Sequence, residues 1–254
     1  MSPHFTSSSA AVPPPFPDRV IPPYMVFLYY DNPQMLRMQL DCWSTYAGVL
    51  ARPPRILVID DGSPKTSAAD IIRKQARKLP LQVYRIKEDI PWNFTGARNL
   101  GCHRAEGWIY MSDIDTLLPA EDAKALFESQ PLDPECFYMP KRVWLPTGIV
   151  AEQALVNLLF HKDKYLAIGG YDEDYAGNYG REESDFYRRL KRVAKFVERD
   201  DVTIKVVPPK VVADARTKGR KRDRTHNAKL FEQKEAAGFP TPVNPLRFSW
   251  ERAL

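Results

Sequence analysis

The sequence predicts an α/β fold, a single Rossmann-like domain whose mostly parallel central sheet is covered by helices on both faces. Three observations predict it. Short apolar, β-prone runs alternate with segments of helical periodicity, as parallel sheets require. Acidic residues recur where those runs end, at Asp31, Asp60, Asp61, Asp113 and Asp115. The chain of 254 residues, 44% apolar and 27% charged, is long enough to bury one large core. Cys42, Cys102 and Cys136 lie far apart with no CxxC pair, which argues against a disulfide framework or a zinc site and for a reducing, cytoplasmic setting. No apolar run reaches the roughly 18 residues of a membrane span. The net charge of +5 suits a phosphorylated ligand without singling out nucleic acid.

In chain order, residues 1–23 read as a flexible leader, with Ser7-Ser8-Ser9, Pro13-Pro14-Pro15 and no apolar periodicity, and residues 24–254 as the domain. Tyr24 to Tyr30 is the first strand, Asp31-Asn32-Pro33 a turn, and Met35, Leu36, Leu40 and Trp43 mark a helix. The unit repeats: Arg55 to Ile59 is a strand, Asp60-Asp61-Gly62-Ser63-Pro64 a turn, and Ala68 to Leu79 a basic helix. Leu81 to Arg85 is a third strand, and Thr95 to Ala105 a helix leading into the run Trp108 to Asp115. Beyond it, Phe137 to Leu145 and Leu155 to His161 are strand-like and Lys162 to Ala167 is a helical turn. Helical spacing of Phe186, Leu190, Val193 and Val197 predicts a helix from Glu182 to Val197. Val202 to Val207 and Val211 to Ala213 read as strands, Leu230 to Ala237 as a helix, and the rest as a proline-rich tail packed across the domain.

The run Trp108-Ile109-Tyr110-Met111-Ser112-Asp113-Ile114-Asp115 carries the chemistry. Strand side chains alternate, so Asp113 and Asp115 are expected on one side with Ile114 turned away. Two carboxylates aimed at one point repel unless a hard cation such as Mg²⁺ or Mn²⁺ lies between them, and such a cation can grip a diphosphate. The same spacing in Asp172-Glu173-Asp174, which reads as a loop, shows that spacing alone is a weak signal. Neither G-x-G-x-x-G after a strand nor G-x-x-x-x-G-K-[ST] occurs, so no glycine loop cradles the phosphates. Strand-end acids accept hydrogen bonds from a ribose in other nucleotide folds. Taken alone, Asp60-Asp61-Gly62-Ser63-Pro64 is equally good turn chemistry.

These residues resemble the GT-A glycosyltransferases, in particular family-2-like enzymes with a galactosyltransferase-type C-terminal segment. The resemblance runs from about Tyr24 to Lys234. It rests on Val58-Ile59-Asp60-Asp61-Gly62-Ser63, Gly96-Ala97-Arg98-Asn99-Leu100-Gly101, Asp113-Ile114-Asp115, Ile168-Gly169-Gly170-Tyr171-Asp172-Glu173 and Gly180-Arg181-Glu182-Glu183-Ser184-Asp185, in that order. It implies a nucleotide-sugar half over residues 24–118, using Tyr29, Tyr30, Asp31, Asp60, Asp61, Arg98 and Asp113. Asp115, Asp113 and His226 would hold Mn²⁺ or Mg²⁺. An acceptor half over residues 119–254 would use Gly169, Gly170, Tyr171 and Asp185. Glu183 would be the base that takes the acceptor proton. The family commonly has Asp there, and Glu182, which shares a helix face with Phe186, is the alternative. Acids in a helix's first turn also complement its dipole whatever the function.

The run Thr217 to Asn227 holds five basic residues between Lys218 and Arg224. It reads as solvated surface, as a lid on the diphosphate, or as a patch for a phosphate backbone. The expectation is a metal-dependent, inverting transfer from a nucleotide-diphosphate sugar, with UDP-sugar the donor in view, to a hydroxyl of a glycan or small molecule. Alternatives are a hydroxylated base in DNA as acceptor, or a sugar-nucleotide-binding protein without activity.

Overall fold

The computed structural model describes residues 22–75, 79–213, 221–243 and 246–254. The leader up to residue 21, the expected helix beyond Gln75 and the basic residues Lys218 and Arg220 lie outside the described residues. Four strands form a parallel centre: β1 (Tyr24–Tyr29), β2 (Arg55–Asp61), β3 (Leu81–Ile86) and β4 (Trp108–Asp113), with β1 between β2 and β4 and β3 beyond β2. Around them lie β5 (Thr116–Leu117), β6 (Cys136–Trp144), β7 (Leu158–His161), β8 (Lys195–Val206) and β9 (Trp250–Arg252). Among the described residues they form one sheet in the order β5-β8-β6-β7-β4-β1-β2-β3-β9. β7 pairs antiparallel with both β4 and β6, and β6 runs parallel to β8.

Both faces of the central strands are buried, which is why they read as unbroken apolar runs. Along β1, Val26 and Leu28 enter one core cluster with Ala97 and Leu100, while Met25, Phe27 and Tyr29 enter a second with Leu36, Leu40 and Trp43. The second face is covered by α1 (Pro33–Ser44), α2 (Ala68–Lys74) and α4 (Ala120–Glu128), which supply Leu36, Ile71 and Leu126. The first is covered by α3 (Phe94–Arg104) and α6 (Glu182–Leu190), with α5 (Lys162–Ala167) following β7. α7 (Thr225–Ala236) adds Phe231 to a small cluster with Tyr175 and Phe239. Asn32 accepts from the Met35 N–H at the start of α1 with Pro33 in its first turn, and Ser67 caps α2 in the same way. In α3 the glycines are a packing requirement. A Cβ on Gly101 would collide with Val26, and one on Gly96 with Asn93 and Phe248, so the helix lies tightly on the sheet.

Several boundaries differ from expectation. α6 ends at Leu190 rather than running to Val197: the Val193 and Ala194 N–H groups bond back to Leu190 O, and from Lys195 the chain pairs with β6. β8 therefore starts well before Val202, and Val211 is not in a strand but in a turn closed onto Pro208 O. β7 begins at Leu158, not Leu155, and α7 at Thr225, not Leu230. The tail includes an edge strand, β9, antiparallel to β3. β4 ends at Asp113, and Ile114 and Asp115 form a tight turn, so alternation along a strand does not place the two acids.

Candidate active site

A cleft of about 750 Å³ opens at the carboxyl ends of the central strands, where parallel α/β sheets bind ligands. Asp113, Ile114 and Asp115 all line it, so the turn after β4 presents both carboxylates together with the isoleucine. The Asp113 side chain is 41% exposed and Asp115 is exposed, with Thr116 Oγ1 donating to Asp115 Oδ1 at 3.3 Å. Tyr29, Tyr30 and Asn32 from the end of β1 line the same cleft. Tyr29 is buried, with its hydroxyl donating to Thr66 O at 2.8 Å, while the Tyr30 hydroxyl donates to the Asp89 carboxylate at 3.0 Å.

Arg98 is the hub. Its side chain is 1% exposed, stacked over the Phe94 and Tyr171 rings, and its Nη2 donates to Glu183 Oε1 at 2.8 Å and reaches Asp113 Oδ1 at 3.4 Å. Nη1 lies 3.8 Å from Glu182 Oε1. One guanidinium from α3 thus faces three carboxylates, one from β4 and two from the first turn of α6. Its Nε and Nη1 have no hydrogen-bond partner among the described residues. The Glu182 side chain is 7% exposed and Glu183 29% exposed. Burial, then the charge of Glu183, push the Glu182 carboxyl up to about 7 against the pull of Arg98. Burial also raises Glu183, and Arg98 opposes it by charge and hydrogen bond. Glu183 is the more exposed of the pair and has a donor on its carboxylate; both line the cleft.

The acids of the β2 turn do structural work. Asp60 is buried and accepts from the backbone N–H groups of Ser63 and Ala68 at 3.0 and 2.8 Å, fixing the turn and the start of α2, and burial raises its pKa. Asp61 accepts from Asn93 Nδ2 at 3.0 Å, and Asp31, with a positive φ of 40°, accepts from the Lys65 and Thr66 N–H groups. The Gly169-Gly170-Tyr171 segment and Asp185 lie beneath the cleft as its support. Gly169 approaches Thr241 and Pro242, and Gly170 approaches Tyr165 and Asn99, both glycines at φ +73°. The Tyr171 ring stacks on Phe186 of α6 at 3.8 Å, and Asp185 is paired with Arg189, which donates to Ile168 O and Gly170 O. Asn99 ties α3 to the segment from Tyr165 to Glu173: its Oδ1 accepts from the Tyr165 hydroxyl and the Tyr171 N–H, and its Nδ2 donates to Tyr171 O and Glu173 Oε1.

The cleft also has a wall that no periodicity announces. Trp92, Phe94, Tyr179, Arg142 and Arg181 line it from loops, strand ends and helix starts, with Arg222 and Arg224 of the basic run. Beside the basic run, the aromatic residues of Pro91-Trp92-Asn93-Phe94, outside any apolar pattern, are a sequence signal that could have marked part of it. His226 is exposed in the first turn of α7, and among the described residues no three His, Cys, Asp or Glu side chains form a metal-binding group.

No family model and no curated protein matches the sequence. Solved structures do match in shape. The S. aureus TarS fragment 1–349 in complex with UDP-GlcNAc superposes with a TM-score of 0.60 at 13% identity, over 74% of this chain and 59% of that one. GalNAc-T7 with UDP, GalNAc and Mn²⁺ gives 0.60 at 12% identity, over 89% of this chain and 56% of that one. The fold is that of the GT-A glycosyltransferases. The chain spans little more than half the length of either of these GT-A structures. No helix among its described residues is long and apolar enough to cross a membrane.

Proposed function

We propose that the chain is a glycosyltransferase that moves a sugar from a nucleoside diphosphate, with UDP the nucleotide in view, to an acceptor hydroxyl by a single inverting displacement. The observation that carries this reading is the bridging of Asp113 and Glu183 by the buried guanidinium of Arg98. It sets a diphosphate end and a base end side by side in one cleft. Residues 24–118 supply the donor half, with Tyr29, Tyr30 and Arg98 at the nucleotide, and residues 119–254 supply the acceptor half.

Asp113 and Asp115 would hold Mn²⁺ or Mg²⁺. Hard oxygen donors fit such a cation, and sites that also bind substrate phosphates need only one or two carboxylates, so two suffice. When bound, the cation supplies charge neutralisation of the leaving diphosphate. The protein does the rest. Arg98, fixed between Asp113 and Glu183 at the cleft, supplies positive charge toward the diphosphate on the donor side and holds the Glu183 carboxylate in place on the other. Glu183 accepts the acceptor's hydroxyl proton as the oxygen attacks the sugar's anomeric carbon. Glu182, buried and raised in pKa, is the second candidate for that role. The UDP-GlcNAc and UDP bound to the two GT-A neighbours support the donor class.

The test is a screen of sugar nucleotides for release of nucleoside diphosphate, with Mn²⁺ and with EDTA. Release from one donor that depends on the metal is the expected result. Binding of a sugar nucleotide with no release, with or without acceptors, would favour a non-catalytic binding protein.

A further inference from the structure

Among the cleft residues without a part in that chemistry are Tyr179, Arg181, Arg222 and Arg224. Their packing is specific. The guanidinium carbons of Arg222 and Arg224 lie 5.3 and 5.5 Å from the centroid of the same Tyr179 ring. That ring is braced edge-on by Trp92 at 4.9 Å, and Trp92 is buried. Arg181 lies over Phe231 at 5.2 Å. All three arginines line the cleft from one wall, where Tyr179-Gly180-Arg181 meets the start of α7. A guanidinium seated on an aromatic face is held in orientation, and its in-plane N–H fork matches two oxygens of an oxyanion. Three such cations on one wall make that side of the cleft favourable to an anion.

The position of the wall says which ligand brings the anion. Gly180 and Arg181 have left-handed φ values of 92° and 74°, a turn that leads at once into Glu182 and Glu183. Tyr179 and Arg181 are therefore continuous with the proposed base, and Arg222 and Arg224 join them at the Tyr179 ring. The carboxylates assigned to the donor come instead from the turn after β4, next to Tyr29 and Tyr30 at the end of β1. A group held by the wall sits beside the base, where the attacking hydroxyl must be.

We propose that Tyr179, Arg181, Arg222 and Arg224 form an acceptor subsite for a phosphate ester, so that the acceptor is a phosphate-bearing alcohol or sugar rather than a neutral one. This rests on the assignment of Glu183 to the acceptor side. The same cations could in chemical terms serve the donor diphosphate, and the experiment separates the two sources.

The full chain is saturated with UDP and Mg²⁺, and glycerol 3-phosphate is titrated in by calorimetry with glycerol as the neutral control. The phosphate ester binds with UDP already in place, glycerol does not, and the Arg222→Gln/Arg224→Gln double variant weakens the phosphate ester roughly tenfold or more while UDP affinity stays within about twofold. Tyr179→Leu weakens it as well and Tyr179→Phe restores it, because the ring face and not the hydroxyl holds the arginines. Should Tyr179→Leu fail to fold, the double variant decides alone, both arginines being exposed. Competition between UDP and glycerol 3-phosphate, or loss of UDP affinity in the double variant, would assign the wall to the donor and overturn the proposal, as would absence of phosphate-ester binding. Failure of the wild-type chain to bind UDP would count against the glycosyltransferase reading itself, while binding of the phosphate ester through Arg222 and Arg224 would still be read on its own.

Discussion

At the scale of single residues, Glu182 and Glu183 differ in a way that measurements can separate. Glu183→Gln keeps the shape and a hydrogen-bond partner for Arg98 but cannot take a proton. It is expected to bind UDP normally and to lose kcat by about 10²- to 10⁴-fold. An unchanged kcat would move the role to Glu182. Glu182 carries a pH prediction. Its pKa is raised in the folded chain to about 7 from an ordinary 4.5, so between those values the folded state binds more protons than the unfolded one. Stability contributed by this group is thus fully present below about 4.5 and is lost as pH rises through about 7. Glu182→Gln removes that loss. The variant should gain on the wild type between pH 5 and 8, by on the order of 2 kcal/mol, in urea unfolding curves. An equal difference at both pH values would mean that Glu182 does not titrate in this range.

At the scale of elements, α3 is placed by glycine and by asparagine. Gly101→Ala puts a methyl group into Val26 of β1, and overpacking of this kind costs about 1–3 kcal/mol. The thermal midpoint should fall by several degrees. The four hydrogen bonds of Asn99 tie α3 to α5 and to the Tyr171–Glu173 segment, whose Tyr171 ring stacks on Phe186 of the helix that carries Glu183. Asn99→Ala leaves the buried N–H and carbonyl of Tyr171 and the Glu173 carboxylate short of partners. A loss of about 3 kcal/mol or more in chemical denaturation is the expected outcome. A loss below 1 kcal/mol would show that water or neighbours take over the bonds.

For the whole molecule, the cleft exists because the parallel centre of the sheet directs the ends of β1 and β4 to one edge, and α3 and α6 close on the same edge. Asp115 sits exposed on the cleft surface and outside the core, so it can be changed at little cost to the fold. Asp115→Ala is expected to abolish nucleotide release with an unchanged thermal midpoint, and EDTA to reproduce the loss in the wild type. Full turnover in EDTA would remove the metal from the mechanism.

The alternation of strand and helix from β1 to β4, the parallel centre and the cleft-lining residues Arg98, Asp113, Asp115, Glu182 and Glu183 were legible in the amino-acid sequence alone, whereas β5, α4 and β9 were not. Alternation of strand and helix patterns follows from local burial, and each of those five residues stands in a short contiguous motif. The tertiary structure decided what depends on packing between distant segments. Val193 and Val197 keep helical spacing, yet the chain leaves the helix at Leu190 because β6 offers backbone partners from Lys195 onward. Asp60 and Asp61 stand in one short motif, and only the closed turn shows Asp60 accepting from Ser63 and Ala68 and Asp61 from Asn93. Asp113 and Asp115 share the cleft through a turn rather than through strand alternation. The wall of Trp92, Tyr179, Arg222 and Arg224 brings together side chains up to 132 positions apart, from loops and the start of α7, where no periodicity exists to read. Local pattern specifies elements because it reports the burial of one segment. A site is specified by the juxtaposition of several, and that is a property of the folded chain alone.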